Sequence, residues 1–97
     1  MKVGIVDDPS RVKVIEGHKS KDPETGDEIW IEGECRILRE DIEAAKEFAK
    51  ELLRETNPRI IQKWEHEYYA DLKERYGSAQ VAGAMLMKVW EWTGKTK

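Results

Sequence analysis

The sequence predicts an α+β domain over residues 1–97, with a small antiparallel sheet and a long hairpin followed by three helices in the order β-β-β-α-α-α. Three observations predict it. Residues 28–38 alternate, with Ile29, Ile31, Gly33, Cys35 and Ile37 on one side and Trp30, Glu32, Glu34 and Arg36 on the other, which is the period-two mark of a strand. Residues 39–55 gather Leu38, Ile42, Ala45, Phe48, Ala49, Leu52 and Leu53 into an arc of about 140° on a helical wheel. Beyond Asn57 lie two more helical runs separated only by Gly77.

The first strand is KVGIV, residues 2–6, closed by Asp7, Asp8, Pro9 and Ser10, which read as turn residues. RVKVIE resumes an alternating pattern at Arg11, with Val12 and Val14 on one face. The polar stretch that follows holds DPETG, in which Pro suits the second position of a turn and Gly accepts positive φ. Segments 11–21 and 27–38 therefore read as one antiparallel hairpin, apolar near its base and polar toward its tip. Gly33 in mid-strand predicts a bulge or the close approach of another backbone.

Helix 39–55 carries Glu43 with Lys46, Glu47 with Lys50 and Glu51 with Arg54 on its polar side, a solvated face whose i,i+3 pairs each contribute a few tenths of a kcal/mol. Asn57 and Pro58 begin the next helix, 58–76, as N-cap and first helical residue. Its apolar side is Ile60, Ile61, Trp64, Tyr68, Tyr69, Leu72 and Tyr76, and Asp71 and Arg75 have the spacing of an ion pair. Ser78 then caps helix 78–92. Its apolar residues cover an arc of roughly 240°, against the ~100° that a surface helix needs. Such a helix must be covered on two sides, by its own domain or by a second copy. Val81, Met85, Val89 and Trp92 are assigned to the core, leaving Ala79, Gly83, Met87 and Trp90 as the face whose partner is open. Thr93 and Gly94 end this helix, and Lys95 to Lys97 should fray.

Charged residues make up 38% of the chain against a usual ~25%. Asn and Gln are scarce, so the composition resembles the charge-rich surfaces of proteins from hot environments. Net charge is −3, and only the segment from Ser78 onward is basic, which offers phosphate backbones no strong general field. One cysteine allows no internal disulfide and suits a reducing, cytoplasmic location. Acidic residues interrupt the N-terminal apolar run where a signal peptide needs its core, and no run is long enough for a membrane span.

No catalytic, metal or cofactor site is expected. His66 falls on the polar side of its helix, and Glu65, His66 and Glu67 point in different directions. Cys35 lies on the apolar side of its strand as a small hydrophobe. Asp22, Glu24 and Asp27 fit turn chemistry better than a calcium loop. Glu65 and Asp71, beside Tyr68 and Tyr69, are the one pair of acids in an apolar setting, and Arg75 accounts for Asp71. Helices 58–76 and 78–92 have the layout of a helix-turn-helix, but the second presents Ala79, Gln80, Val81, Ala82 and Gly83 where base-reading side chains belong.

The expected function is accordingly non-enzymatic association, as a homodimer or with another protein, through Ala79, Gly83, Met87 and Trp90 together with Trp30, an aromatic on an otherwise charged strand face. The alternative is a nucleic-acid-binding regulator using Arg11, Lys13, His18, Lys19 and Lys21 on one strand of the hairpin, opposed by the acids of the other.

Overall fold

The molecule, a computed structural model, is described for residues 1–94; the expected fraying of Lys95 to Lys97 lies outside the described residues. Five strands precede three helices: β1 (Lys2–Val6), β2 (Lys13–Ile15), β3 (His18–Lys21), β4 (Glu28–Ile31), β5 (Glu34–Leu38), α1 (Arg39–Arg54), α2 (Pro58–Tyr76) and α3 (Ala79–Thr93). Strands followed by three helices is the α+β order read from the sequence, but the three expected β segments are five strands and the sheet is mixed and not wholly antiparallel.

The hairpin forms, but in two pieces. At its base β2 pairs antiparallel with β5, setting Val14 opposite Cys35. Toward its tip β3 pairs antiparallel with β4, setting His18 opposite Ile31. The register is unchanged from one ladder to the other, and the break falls at Gly17 and Gly33. A Cβ on Gly33 would lie 2.5 Å from the Gly17 nitrogen and 2.7 Å from the Ile15 carbonyl oxygen, so the two backbones cross closer than any side chain permits. Gly17 is buried, and its polar groups turn to α3. Its N–H donates to Gln80 Oε1 at 2.7 Å and its carbonyl accepts from Gln80 Nε2 at 3.1 Å. One amide side chain thus replaces a neighbouring strand for one residue. Ser78, the N-cap of α3, donates to Glu16 at 2.6 Å beside it.

β1 joins β5 in parallel, with Val3 opposite Cys35 and Ile5 opposite Ile37, so the base is a mixed three-stranded sheet in the order β1-β5-β2. Its side chains alternate between two faces. Val3, Val14, Cys35 and Ile37 turn toward the helices, whereas Lys2, Lys13, Ile15, Glu34 and Arg36 turn away.

α1 begins directly after β5 and lies on the sheet; α3 packs between α1 and α2. The shared core is Cys35 and Ile37 from β5, Ile42, Ala45, Ala49 and Leu52 from α1, Leu72 from α2, and Val81, Ala82, Met85 and Val89 from α3. The broad apolar arc of α3 is therefore matched by two helices of the same chain. Leu53, at the edge of the α1 stripe, is 59% exposed, so the stripe is narrower than the wheel indicates. Of the charge pairs expected on α1, Lys50 with Glu47 closes, at 3.1 Å. Gly77, at φ 66°, takes the left-handed conformation that turns α2 into α3.

Among the described residues β3 and β4 form a ribbon to which no third strand is added, and most of its residues are exposed. The protein is long for its size, 51 × 32 × 20 Å with a radius of gyration of 15.5 Å, where a compact chain of this length has about 12.5 Å. The tip of this arm is not simply polar: Ile29, Trp30 and Ile31 of β4 are all exposed. No helix of the described residues is long and apolar enough to cross a membrane.

Candidate functional site

Every turn residue of the arm has a local partner. Asp22 Oδ1 accepts from Glu24 N at 2.9 Å, Asp22 N donates to the Asp27 carbonyl at 2.9 Å, and Gly26 takes φ 74°. The Asp22 carboxylate is thereby explained by the turn. Along the ribbon, residues directly opposite share a face. His18 and Ser20 lie with Ile31 and Ile29 on one face, and Lys19 and Lys21 lie with Trp30 and Glu28 on the other.

Trp30 is 60% exposed, against 39% for Ile29 and 40% for Ile31. Its indole reaches across to the neighbouring strand over Gly17, where an added Cβ would meet Cζ2 at 2.6 Å. The ring is held from one side and open on the other. Trp30 is thus the largest uncovered apolar side chain of the arm, placed among two lysines and a glutamate.

The residues assigned to the open face of α3 divide. Ala79 is exposed and Met87 is 54% exposed, while a Cβ on Gly83 would meet nothing within 4 Å. Trp90 is half-buried and donates its indole N–H to Glu65 of α2. Trp92, assigned to the core, is 38% exposed beneath the Lys46 ammonium, which stands 5.9 Å from the ring centroid.

The basic residues of the hairpin also divide. Lys13, Lys19 and Lys21 alternate along one strand, but His18 turns to the opposite face of the ribbon. Arg11 ends the single 3₁₀ turn Pro9–Arg11, beside Asp7 and Asp8. Asp8 caps that turn by accepting from Ser10 N at 3.0 Å. Asp7 accepts from Arg39 Nε at 2.6 Å, and this bond holds its carboxyl below the usual range.

A second polar cluster sits where the start of α1 meets the end of α2. Asp41, only 6% exposed, accepts from Arg75 Nη2 at 2.7 Å and from the Tyr76 hydroxyl, which itself accepts from Leu38 N at 3.2 Å. Arg75 also stands 3.6 Å from Asp71, the pair expected from the spacing. A cavity of about 260 Å³ opens here, lined by Pro9, Val12, Leu38, Asp41, Arg75 and Tyr76. Its charged groups are satisfied by one another, so the cluster ties two helices together. Glu65 and Asp71 are likewise engaged, by Trp90 and Arg75 respectively. His66 and His18 are both exposed, and no group of three His, Cys, Asp or Glu side chains is placed to hold a metal among the described residues. Cys35 is fully buried, and burial pushes its thiol up, away from the reactive thiolate.

Burial, with the Asp41 carboxylate next, raises the Tyr76 hydroxyl from 10.0 to about 12. Since the folded value lies above the unfolded one, this contribution to stability is fully present below pH 10.0 and is lost as pH rises through about 12. Urea melts across that window should show stability falling with pH, and Tyr76→Phe should flatten the fall. Parallel slopes for the two proteins would contradict the assignment.

Two features of the arm escape sequence reasoning: the exposure of Ile29 and Ile31, which share an alternating stripe with buried Cys35 and Ile37, and the clamp by Gln80. The second leaves a faint signal, because Gln80 is the first polar side chain after the cap of an otherwise apolar helix. Comparison with protein-family models, curated proteins and solved structures gave no match.

Proposed function

We propose that this protein works by association, pairing with a second copy of itself through its hairpin arm. One observation carries the reading: three successive apolar residues, Ile29, Trp30 and Ile31, are 39%, 60% and 40% exposed on a ribbon that no further strand joins. A two-stranded ribbon is marginal alone in water, and an uncovered strand edge is a template for pairing. Covering apolar area gains about 25 cal/mol per Å², so this run of exposed residues gains from a partner. Two sides of α3 are already taken by α1 and α2, which moves the centre of the proposed interface from the helix to Trp30.

The arm is small beside the ~800 Å² per partner of standard interfaces, so the expected dimer is a reversible one, with a dissociation constant of about 10 µM or weaker. Trp30→Ala and Ile31→Ser alter exposed sites and should leave the circular dichroism of the helices unchanged. Trp30→Ala should shift sedimentation velocity profiles toward the monomer at about 50 µM protein, and Ile31→Ser, on the opposite face of the ribbon, should shift them less. A wild-type chain that sediments identically to Trp30→Ala at every concentration would sink the reading.

The placement of Lys19 and Lys21 on the face of Trp30 favours a second reading. Lysines beside an exposed indole suit single-stranded nucleic acid, where bases stack on the ring and ammonium groups follow the backbone. Glu28 on the same face and the acids that flank β4 oppose it. A tryptophan-fluorescence titration with single-stranded DNA at ~50 mM salt, repeated at higher salt, distinguishes the two.

A further inference from the structure

We infer that the Trp30 face of the arm docks against the same face of a second copy, about a twofold axis running along the arm. The inference rests on the self-association reading and specifies its geometry. It starts from an asymmetry of the ribbon: β3 carries Lys19 and Lys21, whereas β4 carries Glu28 and Trp30 on that same face. The register sets Lys21 level with Glu28 and Lys19 level with Trp30.

A closed dimer uses the same patch twice, so the patch must complement itself. A twofold axis parallel to the strands, lying between two stacked ribbons, keeps each residue at its level and exchanges the two strands. It sets Lys21 of one copy over Glu28 of the other, and Lys19 of one over the Trp30 position of the other, whose ring leans toward Gly17 within reach of the lysine side chain. Each match occurs twice. One is an ion pair and the other a cation–π contact. An axis across the strands sets lysine strand over lysine strand instead, and an axis normal to the ribbon pairs like edges. Only the axis along the arm matches every level.

Within one chain these groups are uncommitted: Lys19, Lys21 and Glu28 enter no ion pair, and Trp30 no cation–π contact, among the described residues. The base of the sheet offers no such match. There Lys13 is level with Arg36, and the same symmetry would oppose like charges, so the proposed dimer requires the two sheets to diverge beyond the Gly17–Gly33 crossing.

The test is a charge-exchange series in the full chain, read by sedimentation equilibrium. Lys21→Glu and Glu28→Lys should each weaken the dimer by about tenfold or more, since each places two repulsive pairs in the interface. The double substitution, which restores opposite charges, should return the dissociation constant to within about threefold of wild type. Lys19→Ala should weaken it and Lys19→Arg retain it. A dimer indifferent to either charge reversal, or one that the double variant does not rescue, overturns the inferred geometry and leaves the association reading standing. A chain that is monomeric throughout overturns both. A monomeric chain whose tryptophan fluorescence responds to single-stranded DNA, with the response lost in Trp30→Ala, overturns both in favour of nucleic-acid binding.

Discussion

Asp41→Ala is expected to lower unfolding stability by about 3 kcal/mol, measured by urea denaturation at neutral pH. Asp41 is 6% exposed and accepts from Arg75 and from the Tyr76 hydroxyl, which also receives the Leu38 N–H. Losing the carboxylate leaves the buried hydroxyl without its acceptor and unlinks the start of α1 from the end of α2. The figure is placed at the lower end of the ~3–5 kcal/mol for breaking a buried pair, because the Arg75 side chain is 44% exposed and can turn to water or to Asp71. Asp41→Asn keeps an acceptor oxygen and should cost about half as much. A loss under about 0.5 kcal/mol for the alanine variant would show that the cluster does not hold the helices together.

Gly33→Ala should cost about 2–3 kcal/mol, because the new methyl meets backbone on two sides and neither can yield without opening the sheet. The distances are 2.5 Å to the Gly17 nitrogen and 2.7 Å to the Ile15 carbonyl oxygen. Gly17→Ala is the informative contrast. Its methyl would meet the Trp30 ring at 2.6 Å, a side chain that can swing, although the Gly33 nitrogen at 3.2 Å is also close. It should cost less than half as much as Gly33→Ala, yet it should weaken self-association by displacing Trp30. Equal costs in urea melts for the two variants would mean that the crossing is looser than the distances indicate.

Much of this fold is local in origin and was legible for that reason. The caps Asn57 and Ser78, the left-handed Gly77, the Asp22–Asp27 turn and the apolar stripe of α1 are each written within a few residues of one another. The two strands of the hairpin and the turn between them follow from alternation and turn chemistry. What alternation does not carry is where a ladder stops. The break at Gly17 depends on Gln80, which lies 63 residues away in the chain. The parallel pairing of β1 with β5 is equally non-local, and a strand of 5 residues does not name its neighbour.

The candidate surface was legible in part. Trp30 stood out as an aromatic among charges, and it is the most exposed of the large apolar residues of the arm. Ile29 and Ile31 did not, because their stripe runs unbroken into Cys35 and Ile37, and only the crossing at Gly17 and Gly33 separates its open half from its buried half. The wide arc of α3 correctly implied cover on two sides. Its own neighbours supply both, and the wheel had no means of distinguishing them from a second copy.

The most direct measurement is the sedimentation-equilibrium mass of the full chain from about 5 to 200 µM, a range that spans the expected dissociation constant. The mass should rise with concentration from 11.3 kDa toward twice that value, and the rise should disappear in Trp30→Ala. A mass of 11.3 kDa at every concentration would contradict it.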